Sequence, residues 1–169
     1  MYSKEDTIVT LQPFLKEELL KLNSVCKDQA DIFEMVYKEA FGKGYVSENF
    51  LAKIKEREAS FPTGLQIGDY SVAIPHTDPE HVFEQFISVV TLQKPVSFYL
   101  MDDNTKKVDV RIVLLLGLNQ PHTQLTVLQE LMQTIQDQQK IEQLLQAENQ
   151  RNVQAIFNGV EKISTKGEK

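Results

Sequence analysis

Cysteine is almost missing from this chain: Cys26 is the only one in 169 residues, which excludes an internal disulfide and a thiolate metal cluster. The expectation for that lone thiol is a half-buried, unreactive group. Long apolar runs are missing as well, since the longest, Ile112 to Leu116, is strand-sized and far short of a membrane span. The first residues, Met1 to Asp6, hold no apolar signal-peptide core, so a cytoplasmic protein without direct membrane insertion is expected. Positive charge is in deficit, with 18 basic against 24 acidic residues and a net charge of −6. Without a basic stripe carrying interleaved aromatics, nucleic acid is not an expected partner. No Walker phosphate loop or G-x-S-x-G elbow occurs, which argues against nucleotide and ester hydrolysis.

What remains is the composition of an ordinary globular domain, 41% hydrophobic and 25% charged. The reading is one domain over residues 1–160, followed by a flexible tail over 161–169. A strand is expected over residues 7–11 and a short helix over 14–22. Ile32, Phe33, Val36, Ala40 and Phe41 share one helical face, with Asp28 as N-cap and Gly42 and Gly44 as terminators. A second helix starts at Ser47, turns Phe50, Leu51 and Ile54 inward and delivers Arg57 in its last turn. Strands then dominate, over residues 71–74, 86–92, 96–100 and 108–118, with Asp102-Asp103-Asn104-Thr105 as a hairpin turn. The last strand is apolar on both faces through Leu116, which marks it as central and covered by helices. Three amphipathic helices close the chain, over residues 123–136, 138–146 and 150–158, the first with Leu125, Leu128, Leu131, Met132 and Ile135 inward. The fold class is α/β, a single domain with a mixed sheet sandwiched by helices.

Two segments carry the chemistry: Arg57-Glu58-Ala59-Ser60-Phe61-Pro62-Thr63-Gly64, and Val72-Ala73-Ile74-Pro75-His76-Thr77. Pro75 biases Ile74 to an extended conformation, so His76 is presented just past a strand end. Imidazole is a neutral nucleophile near pH 7. Arg57 adds a permanent planar cation, Thr63 a hydroxyl and Gly64 room for close backbone approach, which together are parts for handling a phosphoryl group. Taken singly, His76 could be structural, and Arg57 could serve only to cap its helix by charge. His81 follows five residues after His76 with Asp78 and Glu80 between; that spacing matches no metal motif, and no metal site is expected.

These segments resemble the signature of the mannitol/fructose class of enzyme IIA domains in the bacterial phosphoenolpyruvate-dependent sugar phosphotransferase system. The run Phe61-Pro62-Thr63-Gly64 is most similar to galactitol-specific IIA, and the likeness extends from about Asp28 to Gly159. The resemblance implies that His76 accepts a phosphoryl group from phospho-HPr and passes it to a cysteine of a IIB partner, with a membrane IIC engaged indirectly and no cofactor needed. Mannitol-type relatives carry a second histidine at the start of the helix after the central strand. Aligning Leu125, Val127, Leu128 and Leu131 on their pattern puts Gln124 at that position, as in galactitol-type members. His122 then falls in the preceding loop, as a helper of His76 or as ordinary surface, and surface is favoured. The alternative to sugar transport is a regulatory module resembling nitrogen-type IIA proteins, which signal through protein contacts.

Overall fold

The computed structural model describes residues 11–158. Its strands are β1 (Leu20–Ser24), β2 (Gly64–Ile67), β3 (Tyr70–Ala73), β4 (Phe86–Tyr99) and β5 (Lys107–Gly117), and its helices α1 (Gln29–Gly42), α2 (Phe50–Ser60), α3 (Pro121–Ile135), α4 (Gln138–Gln146) and α5 (Gln150–Asn158). The strands form one mixed sheet in the order β1-β4-β5-β3-β2. β1 is parallel to β4, β5 is antiparallel to β4 and parallel to β3, and β2 closes the far edge antiparallel to β3.

The alternation of apolar residues along β5 explains the layering. Ile112, Leu114 and Leu116 face a core shared with Val127 and Leu131 of α3, Ile141 and Leu144 of α4, and Val153 and Ile156 of α5. Val113 and Leu115 face the opposite core, with Ile32, Phe33 and Val36 of α1 and Phe50 and Ile54 of α2. A strand buried on both faces needs this continuous apolar run, and β5 is the expected central strand. Local signals set the helix ends. The Asp28 carboxylate accepts from the Asp31 N–H at 2.9 Å, and the Asp31 carboxylate accepts from the Lys27 N–H at 2.9 Å, a reciprocal cap at the start of α1. Asp137 caps α4 in the same way, accepting from the N–H groups of Gln139 and Lys140.

Several expectations are corrected. Residues 14–22 do not form a helix: short 3₁₀ turns at Gln12–Phe14 and Glu17–Leu19 lead into β1. Leu19 and Leu20 point into opposite cores, a strand's alternation, and pairing of Leu20 and Lys21 with Val89 and Val90 fixes it. β2 was not anticipated, and it pairs with β3 across the two-residue turn Gly68-Asp69, where Gly68 takes φ +60°. The strands expected over 86–92 and 96–100 are one strand, β4, whose register with β5 shifts between Thr91 and Val96. Pro95 has no N–H to give the ladder, so the chain stays extended while pairing is interrupted. α2 begins at Phe50 rather than Ser47, and α3 at Pro121 rather than Thr123. Leu125 is 59% exposed, not turned into the core. The turn at residues 102–105 does join β4 to β5, with the Lys106 N–H donating to the Asp103 carbonyl at 3.0 Å. Cys26 is buried rather than half-buried, and burial raises its thiol pKa, with Asp31 and Asp28 adding to the effect, so the thiolate is disfavoured. The strand expected over 7–11 lies outside the described residues except for Leu11, as does the C-terminal tail.

Candidate active site

Beyond β3 the chain stays extended through Ile74, Pro75 and His76 beside the last residues of β5. The Leu116 N–H donates to the Pro75 carbonyl at 2.9 Å, and His76 bridges to Leu116 in parallel register. His76 therefore stands at the shared carboxyl end of two parallel strands, where open α/β sheets hold their ligands. Its Nδ1 lies 2.9 Å from the Ile74 carbonyl. A carbonyl oxygen only accepts, so Nδ1 carries the ring proton and the lone pair belongs to Nε2. Partial burial lowers the His76 pKa from its ordinary value; the bond to Ile74 raises it, the nearby Arg57 cation lowers it, and Asp78 raises it, burial prevailing. Burial thus favours the neutral ring, whose free lone pair is on Nε2.

Arg57 occupies the last turn of α2. One guanidinium nitrogen pairs loosely with Asp78 at 3.4 Å, and the group lies 5.5 Å from the centre of the Phe61 ring. Its Nε is buried with no hydrogen-bond partner among the described residues. A buried donor without an acceptor is costly.

Thr63 and Gly64 serve the site differently from expectation. The Thr63 hydroxyl donates to Glu58 Oε1 at 2.9 Å and its backbone N–H to Oε2 at 2.8 Å, so both donors turn inward. The Gly64 close approach is to protein: a Cβ there would sit 2.6 Å from the Tyr99 carbonyl oxygen, and the Gly64 carbonyl accepts from the Met101 N–H at 2.8 Å. Glu58 continues the four-residue spacing of Phe50 and Ile54 along the buried face of α2, and that spacing is the signal the sequence carries for it. The residue is 5% exposed, and burial pushes its carboxyl pKa from 4.5 to about 7 against the lowering effects of the Thr63 bonds and Arg57.

The connector from β5 to α3 is stitched to the segment after His76. The Gln85 side-chain oxygen accepts from the N–H groups of Asn119 and Gln120, and the Asn119 amide donates to the carbonyls of Val82 and Phe83. The start of α3 is thereby held at the His76 end of the sheet. His122 lies in the first turn of that helix, not in the loop before it, and is exposed. Gln124 is half-buried, and its backbone N–H is committed to the Gln120 carbonyl at 2.8 Å. His81 has partners of its own: it is buried, with Nδ1 3.5 Å from the Ser47 hydroxyl and Nε2 3.7 Å from Glu80. Among the described residues, no group of three or more His, Cys, Asp or Glu side chains is arranged to hold a metal ion, and no helix is long and apolar enough to cross a membrane.

The raised pKa of Glu58 has a sign that can be measured. A carboxyl whose folded pKa exceeds its unfolded value stabilises the fold fully below the unfolded pKa, and that stability is lost as pH rises through the folded one. With 4.5 rising to about 7, the stability of wild type relative to Glu58→Gln should fall by about 3 kcal/mol between pH 4 and pH 8. Urea unfolding of both proteins across that range checks it; a constant difference would mean that Glu58 ionises normally. His76 acts in the opposite sense, since its depressed pKa removes stability as pH falls below 6.5, but both proteins share that contribution.

The structure thus sets a histidine of fixed tautomer at the carboxyl end of parallel strands in an α/β fold, with an arginine on the neighbouring helix end. Residues 13–160 match the sequence profile of the phosphoenolpyruvate-dependent sugar phosphotransferase system EIIA 2 family, and the chain belongs to that family. It is a phosphoryl carrier of the sugar phosphotransferase type. The galactitol-specific EIIA component of Escherichia coli K12 is 29% identical over 118 residues, covering 70% of this chain and 78% of that one. The mannitol-specific enzyme IIA component of Bacillus subtilis 168 is 29% identical over 149 residues, covering 86% and 97%. In solved structures, the same fold occurs in the E. coli mannitol enzyme IIA, determined in complex with its phosphorylated enzyme IIB, with a TM-score of 0.70, 21% identity and coverage of 86% and 97%.

Proposed function

We propose that this chain is a cytoplasmic IIA component that receives a phosphoryl group from phospho-HPr on His76 Nε2 and delivers it to a cysteine of a IIB protein. The observation that carries this is the Nδ1–H bond to the Ile74 carbonyl, which leaves Nε2 the nucleophilic nitrogen of a neutral ring. In the forward step the Nε2 lone pair forms the N–P bond as the phosphorus–donor bond breaks. In the second, a IIB thiolate forms the S–P bond as N–P breaks, and the ring is neutral again. Such transfers proceed mostly by alignment and charge stabilisation, the role assigned to Arg57 and its unpartnered Nε. The sugar served through IIB and a membrane IIC is galactitol or a related polyol, in keeping with the Phe61-Pro62-Thr63-Gly64 run and with the relatives' names. Incubation with phosphoenolpyruvate, enzyme I and HPr should label the chain, and purified IIB proteins of polyol systems should remove the label. A chain labelled by HPr that yields to no IIB would act as a regulatory module instead.

The start of α3 tests the role of Gln124. The backbone N–H groups of His122 and Thr123, in the first turn, have no intrahelical acceptor and together with the helix dipole favour an anion there. If the Gln124 amide adds to that field, Gln124→Ala should slow phosphoryl arrival about tenfold, and His122→Ala should change it less than twofold. Gln124→His should remain active, as in relatives with histidine at that position. A crippled His122→Ala beside a wild-type Gln124→Ala would reverse the assignment. Stopped-flow or quench measurements with phospho-HPr decide between them.

A further inference from the structure

Building on the phosphoryl-carrier function proposed for His76, we infer that Glu58 is a positioning residue that sets the orientation and tautomer of the His76 ring through Thr63 and Ile74. A carboxyl on the buried face of α2 is expensive to desolvate, and a leucine there would extend the Phe50 and Ile54 stripe without that penalty. Glu58 instead spends both oxygens on one residue, accepting the Thr63 N–H at 2.8 Å and the Thr63 hydroxyl at 2.9 Å. The bonds continue in one line: the Thr63 carbonyl accepts from the Ile74 N–H at 3.2 Å, and the Ile74 carbonyl accepts from His76 Nδ1 at 2.9 Å. Pinning Thr63 at two donors fixes the strand edge against which Ile74 is registered, and Ile74 in turn holds the proton on Nδ1. The same clamp closes the turn between α2 and β2, so the helix end bearing Arg57 and the segment bearing His76 are held to a common frame. Glu58 makes no hydrogen bond to the imidazole, and its effect passes through the hydroxyl and N–H of Thr63 and then along the backbone to Ile74, as supporting residues act on metal-bound histidines.

The test reads the ring directly. Long-range proton–nitrogen NMR of the intact protein, at a pH well above the Glu58 pKa of about 7, where that carboxyl is ionised and His76 is neutral, should show Nδ1 protonated and Nε2 bare in the wild type. In Glu58→Gln, where an NH₂ must face one of the two Thr63 donors, and in Thr63→Val, which lacks the hydroxyl, the His76 signals should move toward a mixture of tautomers. Phosphoryl acceptance should fall about tenfold in both. Thr63→Ser keeps both donors and should restore the wild-type ring signals. A folded Glu58→Gln or Thr63→Val with unchanged His76 signals overturns the inference, as does a Thr63→Ser spectrum matching that of Thr63→Val; if Glu58→Gln does not fold, Thr63→Val decides alone. The ring signals need no phosphoryl donor, so a wild type that takes up no phosphate but shows these tautomer changes would refute the carrier function and support the positioning role.

Discussion

His76→Ala should take up no acid-labile phosphoryl group from phospho-HPr, with labelling down by about a thousandfold or more, because the variant lacks the atom to which phosphorus bonds. Wild type should carry one group per chain, stable in alkali and lost in acid as a phosphoramidate is. The chain has three histidines, so the result distinguishes sites. His81 has neighbours within 3.7 Å of both ring nitrogens and is buried, whereas His122 is exposed on the first turn of α3. Normal labelling of His76→Ala would move the chemistry to one of these two and discard the site described above. The substitution removes one hydrogen bond, to Ile74, and should cost only about 1 kcal/mol of stability. Its circular dichroism and unfolding midpoint should therefore show that the lost labelling is not lost structure.

Arg57→Lys should fold normally and transfer slowly, by about ten- to a hundredfold in both directions, corresponding to about 1–3 kcal/mol of transition-state stabilisation. Charge is retained, so the slowing isolates the donors: lysine has no counterpart to the buried Nε and no planar fork. Stability should barely move, because the Arg57 pair with Asp78 is long at 3.4 Å and partly exposed. Asp78→Asn, which frees the guanidinium while preserving it, should then leave transfer within a factor of about three. Wild-type rates with both HPr and IIB would reduce Arg57 to a helix-terminal charge.

How much of this was legible beforehand follows from which forces were local. Pro75 and the apolar residues before it announce an extended segment that presents His76, and the structure places His76 at the end of β3 beside Leu116. Asp28, Gly44 and the spacing of Ile32, Phe33 and Val36 fix α1 without help from elsewhere. β1 departs from the expected helix because Leu19, Leu20 and Leu22 suit a helix turn as well as a strand, and only pairing with β4 separates the two. Gly68-Asp69 between alternating apolar residues was a readable hairpin signal for β2.

The site divides along the same line. Residue types and the two motifs determined that His76 is the candidate acceptor and Arg57 its cationic neighbour, because a nucleophile and a permanent charge are properties of side chains. Tertiary structure alone decided that Nδ1 bonds to Ile74, that Thr63 turns both donors toward Glu58, and that His122 begins α3 rather than precedes it. Those outcomes depend on which carbonyl or carboxyl arrives from another element at about 3 Å, and hydrogen bonds are short and directional enough that no one-dimensional spacing encodes them.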